Sequence, residues 1–274
     1  MPLYTLSPAL DARLFTPSQV EHKPAGRKRK TLVVGIMFLF LCVLLSLGGY
    51  ALFLKPDAGS RPVPKPVVRP LPTLAPLTTT DPHDLYNQAT GRRPILVDSL
   101  RTQGDNDWEP LNTTGNCTFK ANALHAVGME GDKIAICATQ IAQFKNIAFQ
   151  AQVVAQQGDT AGLAFRADSQ GHTLYLFSVS TDGLYTLAVV DGQRGLQTHI
   201  LAGGNNPAIK QGLNQPNVLT VIARTNTIYL YVNNQFITQL DDPTNSKGIV
   251  GVFAGDSQGN ASEAAFSKVK VWSV

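Results

Sequence analysis

Residues 147–156 read IAFQAQVVAQ, and their alternation decides the fold. Ile147, Phe149, Ala151, Val153 and Ala155 fall on one side of an extended chain, and Gln150, Gln152 and Gln156 on the other. A period of two with a polar opposite face marks a strand buried on one side only. Working outward, comparable runs occur at Ala161–Ala167, Thr173–Ser180, Leu184–Val190, Val218–Arg224, Thr227–Val232, Gln235–Leu240, Gly248–Ala254 and Ala264–Trp272. Between them stand turn pairs such as Gly158-Asp159, Asp182-Gly183, Asp191-Gly192 and Asn233-Asn234, which supply the positive φ of tight hairpins. Many short strands, evenly spaced and without an amphipathic helix, predict an all-β sandwich. In the last run Phe266 has the opposite parity to Val269 and Val271, so a bulge near Ser267-Lys268, or an outward Phe266, is expected.

The strands begin only after residue 92. Ahead of them lies LVVGIMFLFLCVLLSLGGYALFL, Leu32 to Leu54, without a charge and directly preceded by Arg27-Lys28-Arg29-Lys30. About 20 apolar residues span a bilayer as a helix, and lipid leaves the backbone no other partner than itself. The reading is a cytoplasmic tail at 1–30, a transmembrane helix at 31–54 and an extracytoplasmic remainder, because contiguous cations are retained inside. A cleaved signal peptide is the alternative, although its apolar region is about 7–15 residues long. From Lys55 the prolines at 56, 62, 64, 66, 70, 72, 76 and 82 make residues 55–92 a semi-rigid linker. The β-sandwich domain is placed at 93–274, and the expected location is the cell membrane, single-pass, with this domain outside.

Charge divides at the same boundary. Residues 1–92 carry 11 Lys and Arg against 5 Asp and Glu, whereas residues 93–274 carry 12 against 14. The cations belong to the membrane flank, where they meet anionic headgroups. A mildly acidic outer domain has no footprint for nucleic acid, and that class of partner is set aside. Cys42 falls in the apolar run. Cys117 and Cys137 fall in the outer domain, which faces an oxidising compartment, and a disulfide between them is expected, with two buried free thiols as the alternative. The five histidines, at 22, 83, 125, 172 and 199, show no metal-ligand spacing, and no cofactor is implied.

The outer domain resembles the concanavalin A-like lectin/glucanase jelly rolls, and within them the bacterial 3-keto-disaccharide hydrolase-type (laminin-G-like) module. The residues concerned are Asp98-x-Leu100 followed by Trp108, GLAFRAD at 162–168, LYLFSVSTDGLYTL at 174–187, NVLTVIARTNTIYLYVNNQFI at 217–237 and GIVGVFA at 248–254. The resemblance covers nearly all of 93–274 and implies a concanavalin A-like jelly-roll β-sandwich with either glycan-binding or glycoside-hydrolysing activity.

Two motifs that look catalytic read better as turns. Gly255-Asp256-Ser257-Gln258-Gly259 matches a nucleophile elbow, but a strand follows where the elbow needs a helix. The same Asp-Ser-Gln-Gly recurs at 168–171 between two strands. Glycosidases work with two carboxylates, and in jelly-roll glucanases these alternate along one strand. Glu130-Gly131-Asp132 is a partial match, with Ile134 and Ala135 where the second glutamate belongs. Activity then rests on fold analogy alone.

The remaining candidates are surface residues. If Ile228, Leu230 and Val232 face the core, Tyr229 and Tyr231 share the opposite face, and Arg166 is expected outward in its own strand. Rings beside planar polar groups suit sugar recognition, so Arg166, Tyr229 and Tyr231 are the candidate ligand-binding residues. The competing reading has the tyrosines pair across strands and shield the sheet. A tethered binding module for carbohydrate or cell-wall glycan is the leading functional expectation, and a glycoside hydrolase the alternative.

Overall fold

A computed structural model describes residue 77 and residues 79–111, 115–132, 134–192 and 197–274. The expected tail, membrane span and most of the linker lie outside the described residues, and among those residues no helix is long and apolar enough to cross a membrane.

The first described element is a helix, α1 (Pro82–Thr90). Asp81 caps it, accepting from the backbone N–H of His83 and Asp84 at 3.0 Å each, and Pro82 pre-sets φ at its first turn. It stops at Gly91, where any Cβ would lie 2.7 Å from the Asn87 carbonyl oxygen. Leu85 and Ala89, four residues apart, form its buried stripe.

Fifteen strands follow: β1 (Leu96–Asp98), β2 (Trp108–Pro110), β3 (Asn116–Lys120), β4 (Ala123–Gly128), β5 (Ile134–Thr139), β6 (Ile147–Gln157), β7 (Thr160–Ala167) and β8 (Thr173–Ser180), then β9 (Leu184–Asp191), β10 (Gln197–Asn205), β11 (Asn217–Arg224), β12 (Thr227–Val232), β13 (Gln235–Asp241), β14 (Ile249–Gly255) and β15 (Ser262–Ser273). They form two antiparallel sheets. One has the order β13-β12-β11-β6-β15-β4-β3, with β1 also on β15, and the other β10-β9-β8-β7-β14-β5-β2. Side chains from both inner faces, among them Phe149, Val153, Val221, Leu230 and Phe266 of the first and Leu163, Phe165, Phe177, Leu187 and Val252 of the second, make one core. This is the jelly-roll sandwich expected.

The parity break in β15 is a bulge. Register against β6 shifts between Ser267 and Lys270, Lys268 takes φ 56°, and Phe266, Val269 and Val271 all reach the core. The Cys117–Cys137 disulfide is formed, with Cα atoms 5.8 Å apart, and it ties β3 of one sheet to β5 of the other. Asp98 accepts from Leu100 N–H, Asn106 Nδ2 and Trp108 Nε1 at 2.8, 2.6 and 3.0 Å, which gives the Asp-x-Leu…Trp pattern its structural meaning. Both Asp-Ser-Gln-Gly segments are turns of one kind. In each, the aspartate side chain accepts from the backbone two residues on, its carbonyl accepts from the glycine, and the glycine has positive φ.

One boundary needs correcting. The expected linker, 55–92, overlaps the folded domain, because Leu77, Leu85 and Ala89 pack on the outer face of the eight-stranded sheet against Ala148, Ile222, Tyr229, Tyr231 and Trp272. Arg224 holds the Leu77 carbonyl at 2.9 Å, and Trp272 Nε1 donates to the Arg92 carbonyl at 2.9 Å. The expected absence of an amphipathic helix is therefore corrected as well.

Candidate functional site

The parity assigned to the tyrosines is correct, since Ile228, Leu230 and Val232 enter the core and Tyr229 and Tyr231 leave on the other side. That side is not open. Helix α1 lies on it, leaving Tyr229 8% and Tyr231 1% exposed. The Tyr231 hydroxyl donates to the Pro82 carbonyl at 2.7 Å, and its ring packs 5.1 Å from Tyr86 and 5.7 Å from Phe236. Burial, then the neighbouring Tyr229, Asp81 and Tyr86, pushes that hydroxyl's pKa well above the usual phenol range. No ring face is left for a sugar to stack on. The expectation of an exposed aromatic patch is overturned, and the shielding reading describes what these side chains do.

Arg166 departs further from expectation. It sits in β7 of the other sheet, so the structure does not bring it to the tyrosines. A bulge at Arg166, with φ 48° and a register shift against β14, turns the side chain inward, where it has 0% exposure. Its guanidinium donates to the carbonyls of Asn245 (3.1 Å) and Thr225 (2.7 Å), and Asn245 Nδ2 donates in return to the Arg166 carbonyl at 2.7 Å. Beside it the Tyr175 hydroxyl donates to Asp242 Oδ1 at 2.5 Å. Burial opposes ionisation of Asp242, but Tyr175, Thr244 and the guanidinium outweigh it and keep the carboxyl below its ordinary range. The group clamps two loops, and its Arg166 and Tyr175 side chains have no exposed surface.

The sequence's polar glutamines lead to a different place. On the outer face of the eight-stranded sheet a groove of ≈ 290 Å³ sets Gln150 and Gln152 of β6, Lys268 and Lys270 of β15 and Asp98 of β1 around an apolar lining to which Val97 of β1 and Val218 of β11 contribute. Gln150 Nε2 donates to the Thr220 hydroxyl at 2.9 Å and to the Tyr86 hydroxyl at 3.0 Å, and Tyr86 in turn donates to Asn234 Oδ1 at 2.6 Å. Lys268 Nζ donates to Gln152 Oε1 at 2.9 Å. These bonds fix the amides before any ligand arrives. The β15 bulge makes the arrangement possible. It adds one residue between Ser267 and Val269, so that Lys268 and Lys270 both point outward while their flanking apolar residues point in. Sequence reasoning noticed the parity break without asking which side chain it re-aimed, and that question would have found the lysines.

The groove's one carboxylate, Asp98, already accepts from Leu100, Asn106 and Trp108. The arrangement can therefore donate and accept hydrogen bonds and carry positive charge, but within it there is no second carboxyl for the acid–base pair of glycoside hydrolysis. Farther along the same sheet Glu263 meets Lys120 at 2.8 Å and His125 Nδ1 at 2.6 Å. Burial would raise the Glu263 pKa, but those two partners hold it below the usual range.

No family model and no curated protein matches this chain. Among solved structures it is similar to carbohydrate binding module CBM66 from Bacillus subtilis, at 17% identity, covering 61% of this chain and 96% of that one, with a TM-score of 0.52. A Bacillus subtilis protein of unknown function with a galectin-like fold is similar at 16% identity, 66% and 96% coverage and a TM-score of 0.52. LamAcat from Zobellia galactanivorans follows at 7% identity, 67% and 99% coverage and a TM-score of 0.50. At these identities the likeness is one of fold, and that fold is the galectin- and concanavalin-like jelly roll.

Proposed function

We propose that the described domain is a non-catalytic carbohydrate-binding module, held outside the cell by the apolar segment at 31–54. The observation that carries the reading is the groove, in which the fixed amides of Gln150 and Gln152 and the ammonium groups of Lys268 and Lys270 stand among apolar side chains on one open face of a jelly-roll sheet. Sugars present many hydroxyls in a fixed pattern, and such donors and acceptors answer them directly. The fold it shares with a carbohydrate-binding module is consistent with this use. The test is a glycan array probed with the detergent-solubilised full chain, read for binding and for release of reducing sugar. Binding without release is expected, weakened by Gln150→Ala and Gln152→Ala. Release of product would establish the hydrolase reading, and silence across the array would end both.

A further inference from the structure

We infer that the groove selects an anionic saccharide, one bearing a carboxylate or phosphate, with Lys268 and Lys270 as the residues that read its charge. This rests on the binding-module reading above and adds the class of ligand.

Three observations converge on it. The bulge gives Lys268 a left-handed backbone, φ 56°, a conformation uncommon outside glycine and asparagine, and its outcome is a second lysine on the groove side two residues from Lys270. A regular strand carrying Phe266 in the core would have turned Lys268 inward, so the irregularity serves core packing and cation display together. Next, neither ammonium makes an ion pair among the described residues. The one carboxylate of the groove's lining, Asp98, takes its hydrogen bonds from Leu100, Asn106 and Trp108 and is bonded to neither lysine. Finally, Lys268 is already held against Gln152 Oε1 at 2.9 Å, so part of the ordering cost of a flexible side chain is met in the free protein. The result is a groove whose lining sets two cations against one carboxylate, a net positive balance, beside two amides. A neutral sugar would satisfy the amides and leave the charges unused. An acidic one uses both.

The experiment compares four polymers on the full chain: polygalacturonate, its fully methyl-esterified form, a glycerol-phosphate wall polymer and a neutral glucan. Polygalacturonate, the phosphate polymer or both should bind more tightly than their neutral counterparts, and the preference should fall as salt is raised. Lys268→Ala and Lys270→Ala should each weaken anionic binding by up to roughly fivefold, as loss of a solvent-exposed ion pair does. Lys145→Ala, on an exposed residue away from the groove, should change nothing. The two anionic polymers separate carboxylate from phosphate as the charge recognised. Equal binding of neutral and anionic polymers, or lysine variants that keep the wild-type preference, overturns this inference and leaves the binding module standing. Failure to bind any of the four, together with a silent glycan array, removes both.

Discussion

A guanidinium without exposed surface must find its partners inside the protein, and Arg166 finds two loop carbonyls for its terminal nitrogens while Nε is left without one. Arg166→Ala would leave the Asn245 and Thr225 carbonyls without those donors and open a void of side-chain size. The expected cost is about 3 kcal/mol, read by denaturant unfolding, with glycan binding by surviving folded protein unchanged. Its neighbour gives a pH signature. Burial first, and then the hydrogen bond to Asp242, pushes the Tyr175 hydroxyl up to about 12. The unfolded phenol titrates near ~10. A raised folded value means stability that is fully present below the unfolded value and lost as pH climbs through the folded one. Tyr175→Phe cannot ionise, so its unfolding free energy should decline less steeply than wild type across that alkaline window. Parallel curves would show that Tyr175 is not buried as described. Neither residue's role was legible in the sequence. Alternation predicts a side chain's direction only while the strand is regular, and Arg166 stands on a bulge.

Elements with a clear period were legible, and those without were not. The strands read from alternation recur in the structure as β6 to β9 and β11 to β15, with ends shifted by a residue or two. The edge strand β3 alternates over only five residues, with Cys117 and Phe119 partly buried, and β1 and β2 have three residues each, too few for a period to show. Helix α1 was missed because only Leu85 and Ala89 are buried, although Asp81-Pro82 before it and Gly91 after it are the expected boundary residues. Its attachment can be tested. Asp81→Ala removes the cap and should cost about 1 kcal/mol, and Tyr231→Phe, which loses the bond to Pro82, a similar amount. Hydrogen exchange should show the loss as faster opening of α1 with the sheets still protected. The disulfide works across elements, closing a 20-residue separation between two sheets. Replacing both cysteines by serine should lower stability by about 3 kcal/mol in equilibrium unfolding, and peptide mapping without reductant should recover the linked pair from native envelopes.

At the scale of the molecule, the proposed topology predicts that protease added to intact cells removes the β-sandwich and leaves a small membrane-bound remnant. Spontaneous release of a soluble form would support the cleaved-signal alternative. The place of β15 has a further consequence. It is the last strand in order of synthesis, yet it lies inside its sheet, paired with β6 along one edge and with β4 and β1 along the other. The strand made just before it, β14, sits likewise between β5 and β7. A nascent chain that has reached residue 261 thus has the flanks of one sheet and nothing to join them. Folding dominated by such distant pairings is slow. If the domain is exported as proposed, a chain crossing the membrane cannot close its sandwich until β15 has followed, because the strand that joins the flanks of the first sheet comes after both of them.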